Sequence, residues 1–260
     1  MTKTFAATLA AIFFAGSAQG SVLLPPAHIY EFSGTLADAQ GGPSMVAGLG
    51  ASFTGSGASG GMRFAANQGP LVSNAFANPG LYSIEMFFSL DDVSNYRRLV
   101  DFKNGSGDSG LYLNEGRPNF YGPSGTVATT YAADQMVHFV LTRDASEVVR
   151  GYGQGVELFS FNDTSASEYG VFTGPGNIAR FFRDNGTEAS SGFVDFIRLY
   201  DRALTGSEVA TLYGGGAPIR QFAVPVSAVP EPGTWASLIL GFGMVGSVIR
   251  RRKRPLPAFA

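Results

Sequence analysis

Through the middle of the chain apolar and polar positions alternate with a period of two. Tyr82, Ile84, Met86 and Phe88 interleave with Leu81, Ser83, Glu85 and Phe87. His138, Val140 and Thr142 interleave with Val137, Phe139 and Leu141, and Phe193, Asp195, Ile197 and Leu199 with Val194, Phe196, Arg198 and Tyr200. Successive side chains on a strand point to opposite faces, so each stretch predicts a β-strand. Shorter strands are predicted over 29–32, 62–65, 98–103, 110–114, 148–152, 156–161 and 177–183. Turn chemistry separates them at Asn104-Gly105, Gly122-Pro123, Gly174-Pro175-Gly176 and Asn185-Gly186. Residues 34–61 hold nine glycines, which predicts a loop or irregular edge strands.

No stretch of useful length carries apolar residues at helical spacing. One short helix is expected where Thr205 and Glu208 stand at capping-box spacing, ahead of Val209 and Leu212 on one face. Many short strands, glycine-rich connections and one late helix predict an all-β fold, an antiparallel two-sheet jelly-roll sandwich over residues 29–213.

The two ends follow different rules. Lys3 precedes an apolar, uncharged run from Phe5 to Ala15 and then small residues. That order predicts a signal peptide over 1–20, cut after Gly20 or after Ala18, with 21–28 as a lead-in. Residues 214–228 are rich in Gly, Pro and Ala and predict a linker. Beyond it, residues 235–249 are uncharged and run straight into Arg250, Arg251, Arg252, Lys253 and Arg254. At ~1.5 Å per residue such a helix covers ~23 Å of a ~30 Å hydrocarbon core, so neighbouring residues or local thinning must supply the remainder of a single transmembrane helix. The basic run predicts that its own side and the tail 255–260 stay cytoplasmic, with the N-terminal body outside. Trp235 then suits the membrane interface.

Charge sharpens this division. The formal net charge is −2. Setting aside Lys3, Glu231 and the five basic residues of the tail leaves 12 basic against 19 acidic residues, a body of −7. An acidic body without a basic stripe excludes nucleic acid as a partner, since phosphate neutralisation needs clustered cations. The absence of cysteine excludes a disulfide scaffold, a thiolate nucleophile and a cysteine-ligated metal. An exported body of this composition must be held by sheet packing alone.

The segment Val229-Pro230-Glu231-Pro232, followed by the apolar span and the basic cluster, resembles the PEP-CTERM sorting signal of Gram-negative bacteria over 229–254. Its prolines hold the backbone extended and present one carboxylate. The resemblance implies passage through the secretion machinery, retention in the inner membrane, and cleavage by an exosortase-like enzyme before transfer to the cell surface or extracellular matrix. Residues 29–38, 82–89, 97–104 and 192–204, the last followed by Ser207-Glu208, resemble the laminin-G-like domain of the concanavalin A-like lectin/glucanase class. That resemblance implies two stacked antiparallel sheets, which the alternation predicts independently.

Glucanases of this class draw their catalytic carboxylates from one strand in a Glu-x-Asp-x-Glu pattern, which places them on one face. No such triplet stands here: Glu85 is followed two residues on by Phe87, and Asp195 by Ile197. Asp91 and Asp92 are neighbours and read as a polar turn. Neither His28 nor His138 has a nucleophile-elbow serine beside it. His138 reads as a partly buried strand residue, and His28, after Pro25-Pro26, as solvated. The chain is therefore expected to have no catalytic residues, to require no cofactor and not to be an enzyme.

Calcium is the one ligand ion the resemblance brings in. The loops that could offer oxygens are 104–108, Asn162-Asp163 and Asp184-Asn185, and each is equally what a tight turn demands. The Asn-x-Ser/Thr triplets at Asn104, Asn162 and Asn185 coincide with the same turns and read as turns. Carbohydrate contact requires exposed aromatic rings, and Tyr96, Tyr112, Phe120, Tyr121, Tyr131 and Tyr152 lie in or beside predicted loops. The leading expectation is a non-enzymatic surface protein that contacts extracellular polysaccharide. A carbohydrate-active enzyme with an unrecognised site and a structural protein without ligand are the alternatives.

Overall fold

The computed structural model describes residues 23–55, 60–125 and 127–214. The predicted signal peptide with Ala18 and Gly20, nearly all of the linker, the motif Val229 to Pro232, the apolar span and Arg250 to Arg254 lie outside the described residues.

Two antiparallel sheets make up the sandwich. The larger runs in the order β11 (Val156–Asn162), β10 (Val148–Gly153), β9 (Val137–Arg143), β5 (Tyr82–Leu90), β13 (Gly192–Tyr200), β3 (Gly61–Phe64) and β2 (Ser52–Thr54). The free edge of β13 is shared end to end: β3 pairs with residues 192–194, and β1 (His28–Tyr30) with residues 197–199. The smaller sheet runs β4 (Leu71–Val72), β12 (Ala179–Phe181), β6 (Tyr96–Asp101), β7 (Gly110–Asn114) and β8 (Arg117–Phe120).

Between the sheets lies a core that both supply. Tyr82, Ile84, Met86, Phe88 and Leu90 of β5 face Leu99, Val100, Leu111, Leu113 and Phe120 of the smaller sheet, all buried. Loop aromatics fill the ends: Phe172 lies 4.6 Å from Phe102, and Phe182 lies 4.7 Å from Phe64. Each such ring removed from water contributes about 1.5–3 kcal/mol, so with no cysteine available these rings carry the cohesion of the domain.

The alternation in β5 and β9 holds as predicted, but β13 departs from it. A bulge between Val194 and Phe196 shifts the register against β5. Val194 therefore joins Ile197 and Leu199 in the core, although strict alternation would put it on the opposite face. Beyond the bulge Phe196, Arg198 and Tyr200 keep the outer face of the larger sheet, opposite Ile197 and Leu199, as the alternation predicts. A second bulge, between Arg98 and Val100, turns Leu99 and Val100 inward and leaves Arg98 and Asp101 together outside.

The last described element is α1 (Gly206–Tyr213). Thr205 is its N-cap: its hydroxyl accepts from the Glu208 amide at 3.3 Å, and the Glu208 carboxylate accepts from the Thr205 amide at 2.8 Å. Gly214, at φ 60°, closes the helix in the left-handed conformation. β2 falls in the 34–61 stretch predicted as a loop or irregular edge strands, whereas β4 and β8 are not among the predicted strands. β4 is very short, and Pro118 interrupts the signal of β8; an edge strand such as β8 tolerates a proline.

Candidate functional site

Polar chemistry collects on both outer faces. On the larger sheet, register places Glu85 opposite Arg198 and Phe87 opposite His138. Glu85 Oε1 lies 3.0 Å from His138 Nε2 and 3.3 Å from Arg198 Nη1, and Glu85 Oε2 accepts from the Tyr200 hydroxyl at 2.7 Å. The Arg198 guanidinium sits 3.9 Å above the Phe196 ring and reaches Glu31 Oε1 at 3.1 Å. Tyr213 of α1 stacks on His138 with centroids 5.6 Å apart. Burial raises the carboxyl pKa of Glu31, against the opposing pull of Arg198. Burial, then the Glu85 charge, pushes the Tyr200 hydroxyl far up.

A Glu, His, Arg and Tyr set of this kind has the composition of an acid–base site, but Glu85, His138 and Arg198 are fully buried. Glu85 and the partly exposed Glu31 both pair with the same guanidinium. The geometry suits a buried ionic clasp between β5, β9 and β13.

On the outer face of the smaller sheet Arg117 is exposed, Tyr96, Asn114 and Asn119 are half-buried, and Arg98 and Tyr112 are buried. Tyr96, Asn114 and Arg117 stand in one cross-strand row, and Arg98, Tyr112 and Asn119 in the next. The hairpin joining β7 to β8 turns on Glu115 and Gly116, at φ 50° and 73°, a two-residue connection that needs left-handed backbone at both positions. Tyr121, just past β8, completes an aromatic trio: its ring is 5.8 Å from Tyr96 and 6.1 Å from Tyr112, while Tyr96 and Tyr112 meet edge to face at 5.6 Å. Tyr121 is 44% exposed.

Arg98 packs against Tyr112, its guanidinium 4.8 Å from the ring centroid. It is buried, hydrogen-bonds the Tyr112 hydroxyl and the Gly107 carbonyl, and pairs with Asp184 at 2.9 Å and Asp101 at 3.6 Å. Burial raises the pKa of the Tyr112 hydroxyl despite the neighbouring cation. Beside the rings lies a small groove of about 60 Å³ lined by Asn114, Arg117, Pro118, Asn119, Gly125 and Val127. Asn119 Nδ2 donates to the Gly125 carbonyl at 3.4 Å, while its Oδ1 is buried without a hydrogen-bond partner. Of the three rings Tyr121 is exposed and Tyr96 half-buried, so these two, beside amide and guanidinium groups and backed by the buried Tyr112, can stack on a sugar face and hydrogen-bond its hydroxyls.

Of the six aromatics singled out in the sequence, three meet here. Phe120 and Tyr131 belong to the core, and Tyr152 is buried in β10 of the other sheet. Arg117 and Asn119 escape sequence reasoning because β8 is not recognised there, and Asn114, inside the strand predicted over 110–114, carries no signal of its own; Glu115-Gly116 following a predicted strand is the available signal. His28 is half-buried, with Nδ1 2.7 Å from Asp38 Oδ2, instead of solvated.

The loops considered for calcium direct their carboxylates to N–H donors. Asp101 accepts from the amides of Lys103 and Gly105, and Asp108 pairs with Arg98 at 3.4 Å. Asp163 accepts from Arg143 and from the amides of Tyr169 and Gly170, and Asp184 from those of Gly186 and Glu188. Among the described residues no three His, Asp or Glu side chains gather as metal ligands. These donor sets do not fit a hard cation, which would have to displace an arginine or several amides.

A family model described as concanavalin A-like lectin/glucanases superfamily matches residues 57–210, and one described as PEP-CTERM protein-sorting motif matches residues 228–253. No curated protein matches the chain. Among solved structures, domain 4 of an extracellular arabinanase from Geobacillus stearothermophilus, in complex with arabinotriose, is 16% identical with a TM-score of 0.53 over 72% of this chain and 97% of that one. Trypanosoma rangeli sialidase is 18% identical with a TM-score of 0.54, over 72% of this chain but 32% of the sialidase. The receptor-binding domain of botulinum neurotoxin type G is 15% identical with a TM-score of 0.54, over 73% of this chain and 51% of that one. At these identities the likeness is one of fold. The sorting motif implies export and membrane-associated processing.

Proposed function

Because the chain belongs to the concanavalin A-like lectin/glucanases superfamily and carries a PEP-CTERM sorting motif, we propose that it is an exported surface protein that binds extracellular polysaccharide on the outer face of its smaller sheet without turning it over. The observation that carries this reading is the gathering of Tyr96, Tyr112 and Tyr121 beside the Asn114–Asn119 groove. The arabinanase domain of like fold, in complex with arabinotriose, supports it. The enclosure of Glu85 and its commitment to Arg198 support the non-enzymatic part. Before processing the body stands outside the inner membrane with Arg250 to Arg254 in the cytoplasm. An exosortase-like enzyme then cuts near Val229 to Pro232 and releases the acidic body to the surface or matrix of a Gram-negative cell.

A glycan array probed with the purified protein tests the binding. Retention of at least one polysaccharide, weakened about tenfold or more by Tyr121→Ala, is expected from the loss of a stacking ring. A blank array would favour a structural protein without ligand. Release of reducing ends from a bound glycan would favour an enzyme. Mass spectrometry of the surface-released form is expected to find residues 250–254 missing, and their presence would refute cleavage.

A further inference from the structure

The tyrosine face also indicates which glycan it takes. Among the described residues every arginine makes an ion pair with a carboxylate except Arg117 and Arg183. Arg183 is half-buried and spends its Nε on the Gly69 carbonyl. Arg117 differs: it is exposed, lies at the groove and stands in the same cross-strand row as Asn114 and Tyr96. Its Nη1 donates to the carbonyls of Val127 at 3.2 Å and Ala128 at 3.1 Å. These bonds hold the guanidinium in place without neutralising it.

Resting on the polysaccharide reading above, we infer that the groove is specific for an acidic polysaccharide, with Arg117 receiving the carboxylate of a uronic acid residue. A fixed guanidinium presents parallel N–H donors that match a carboxylate, and the two carbonyls have already met the ordering cost of the side chain. Asn119, two residues along β8 from Arg117 and so on the same face, lines the same groove. Tyr121 offers the ring on which that sugar or its neighbour stacks. In a body of −7, one uncompensated arginine near the exposed Tyr121 ring selects for an anion locally while the surrounding charge repels anions elsewhere.

Binding of the full chain to immobilised polygalacturonate, to its fully methyl-esterified form and to dextran sulfate tests this. Polygalacturonate is expected to bind about tenfold more tightly than the ester, the worth of one charge-assisted contact, and the difference should shrink as salt rises. Arg117→Gln should abolish the preference for the acid over the ester, while Arg183→Gln should preserve it. Equal affinity for acid and ester, with both lowered by Tyr121→Ala, would overturn the uronate assignment and leave the polysaccharide face standing. Preference for dextran sulfate over polygalacturonate would overturn carboxylate as the recognised anion. Tighter binding of the acid that persists in Arg117→Gln would overturn the role of Arg117.

Discussion

Glu85 and Arg198 stand directly opposite each other on β5 and β13, 3.3 Å apart and both fully buried. A pair so placed gains less from its own attraction than it would lose if broken, because the remaining charge has no water to turn to. Glu85→Ala is therefore expected to destabilise the domain by about 3–5 kcal/mol, and Glu85→Gln by less, since the amide still accepts from Tyr200. Urea unfolding checks this, and a loss below about 1 kcal/mol in the alanine variant would mean that Glu31 alone satisfies the guanidinium.

Acid should unfold the protein through carboxylates held below their ordinary range. Asp92 is lowered to about 2, first by the Ser94 hydroxyl, then by the Ser94 amide and Arg97. Glu208 is lowered by its hydrogen bond with Arg202, with the Thr205 cap adding to it against burial. A depressed native pKa contributes stability that is complete above the unfolded value, ~4 for a carboxylate, and is lost as pH falls through the native value. Melting temperature should hold above pH 5 and decline toward pH 2. The double variant Asp92→Asn/Glu208→Gln should start lower at pH 6 and decline less, and an unchanged slope would remove these two groups from the acid limb.

Sequence reading went furthest where one physical signal acted alone. β5 and β9 were legible because period two is enforced along their whole length by a core on one side. The capping box at Thr205 and Glu208 was legible because its geometry is local. β13 was seen as a strand but assigned the wrong faces at its start, since a bulge at Asp195 leaves no mark in the alternation itself. The ionic clasp was invisible for a related reason: Glu31, Glu85, His138 and Arg198 come from separate segments and meet only through strand order. On the proposed binding face, the tyrosines could be named as candidates but not told apart from core rings, and Arg117 lay hidden in a strand that Pro118 disguised.

The helix cap offers a local test of the domain's end. Thr205→Ala removes the acceptor for the Glu208 amide and one ligand of the Glu208 carboxylate. A loss of about 1 kcal/mol is expected, together with faster amide exchange in residues 206–209. Full protection of those amides in the variant would show that Arg202 holds Glu208, and the helix start, without the cap.

Gly116 links the fold to the proposed binding face. Its φ of 73° is one L side chains rarely adopt, and a Cβ there would lie 2.3 Å from the Tyr131 carbonyl oxygen, a backbone atom that cannot swing away. Gly116→Ala must therefore distort the β7–β8 turn, which sets Asn114 opposite Arg117, and should cost more than about 1 kcal/mol. Polysaccharide binding should fall with it, and should fall further than stability alone explains under conditions where the variant remains folded. Gly107→Ala is the matched control: nothing lies within 4 Å of the added carbon, so stability should stay within about 0.5 kcal/mol and binding should be retained. If Gly116→Ala binds as the unsubstituted chain does, the groove formed by Asn114, Arg117 and Asn119 is not where the glycan sits.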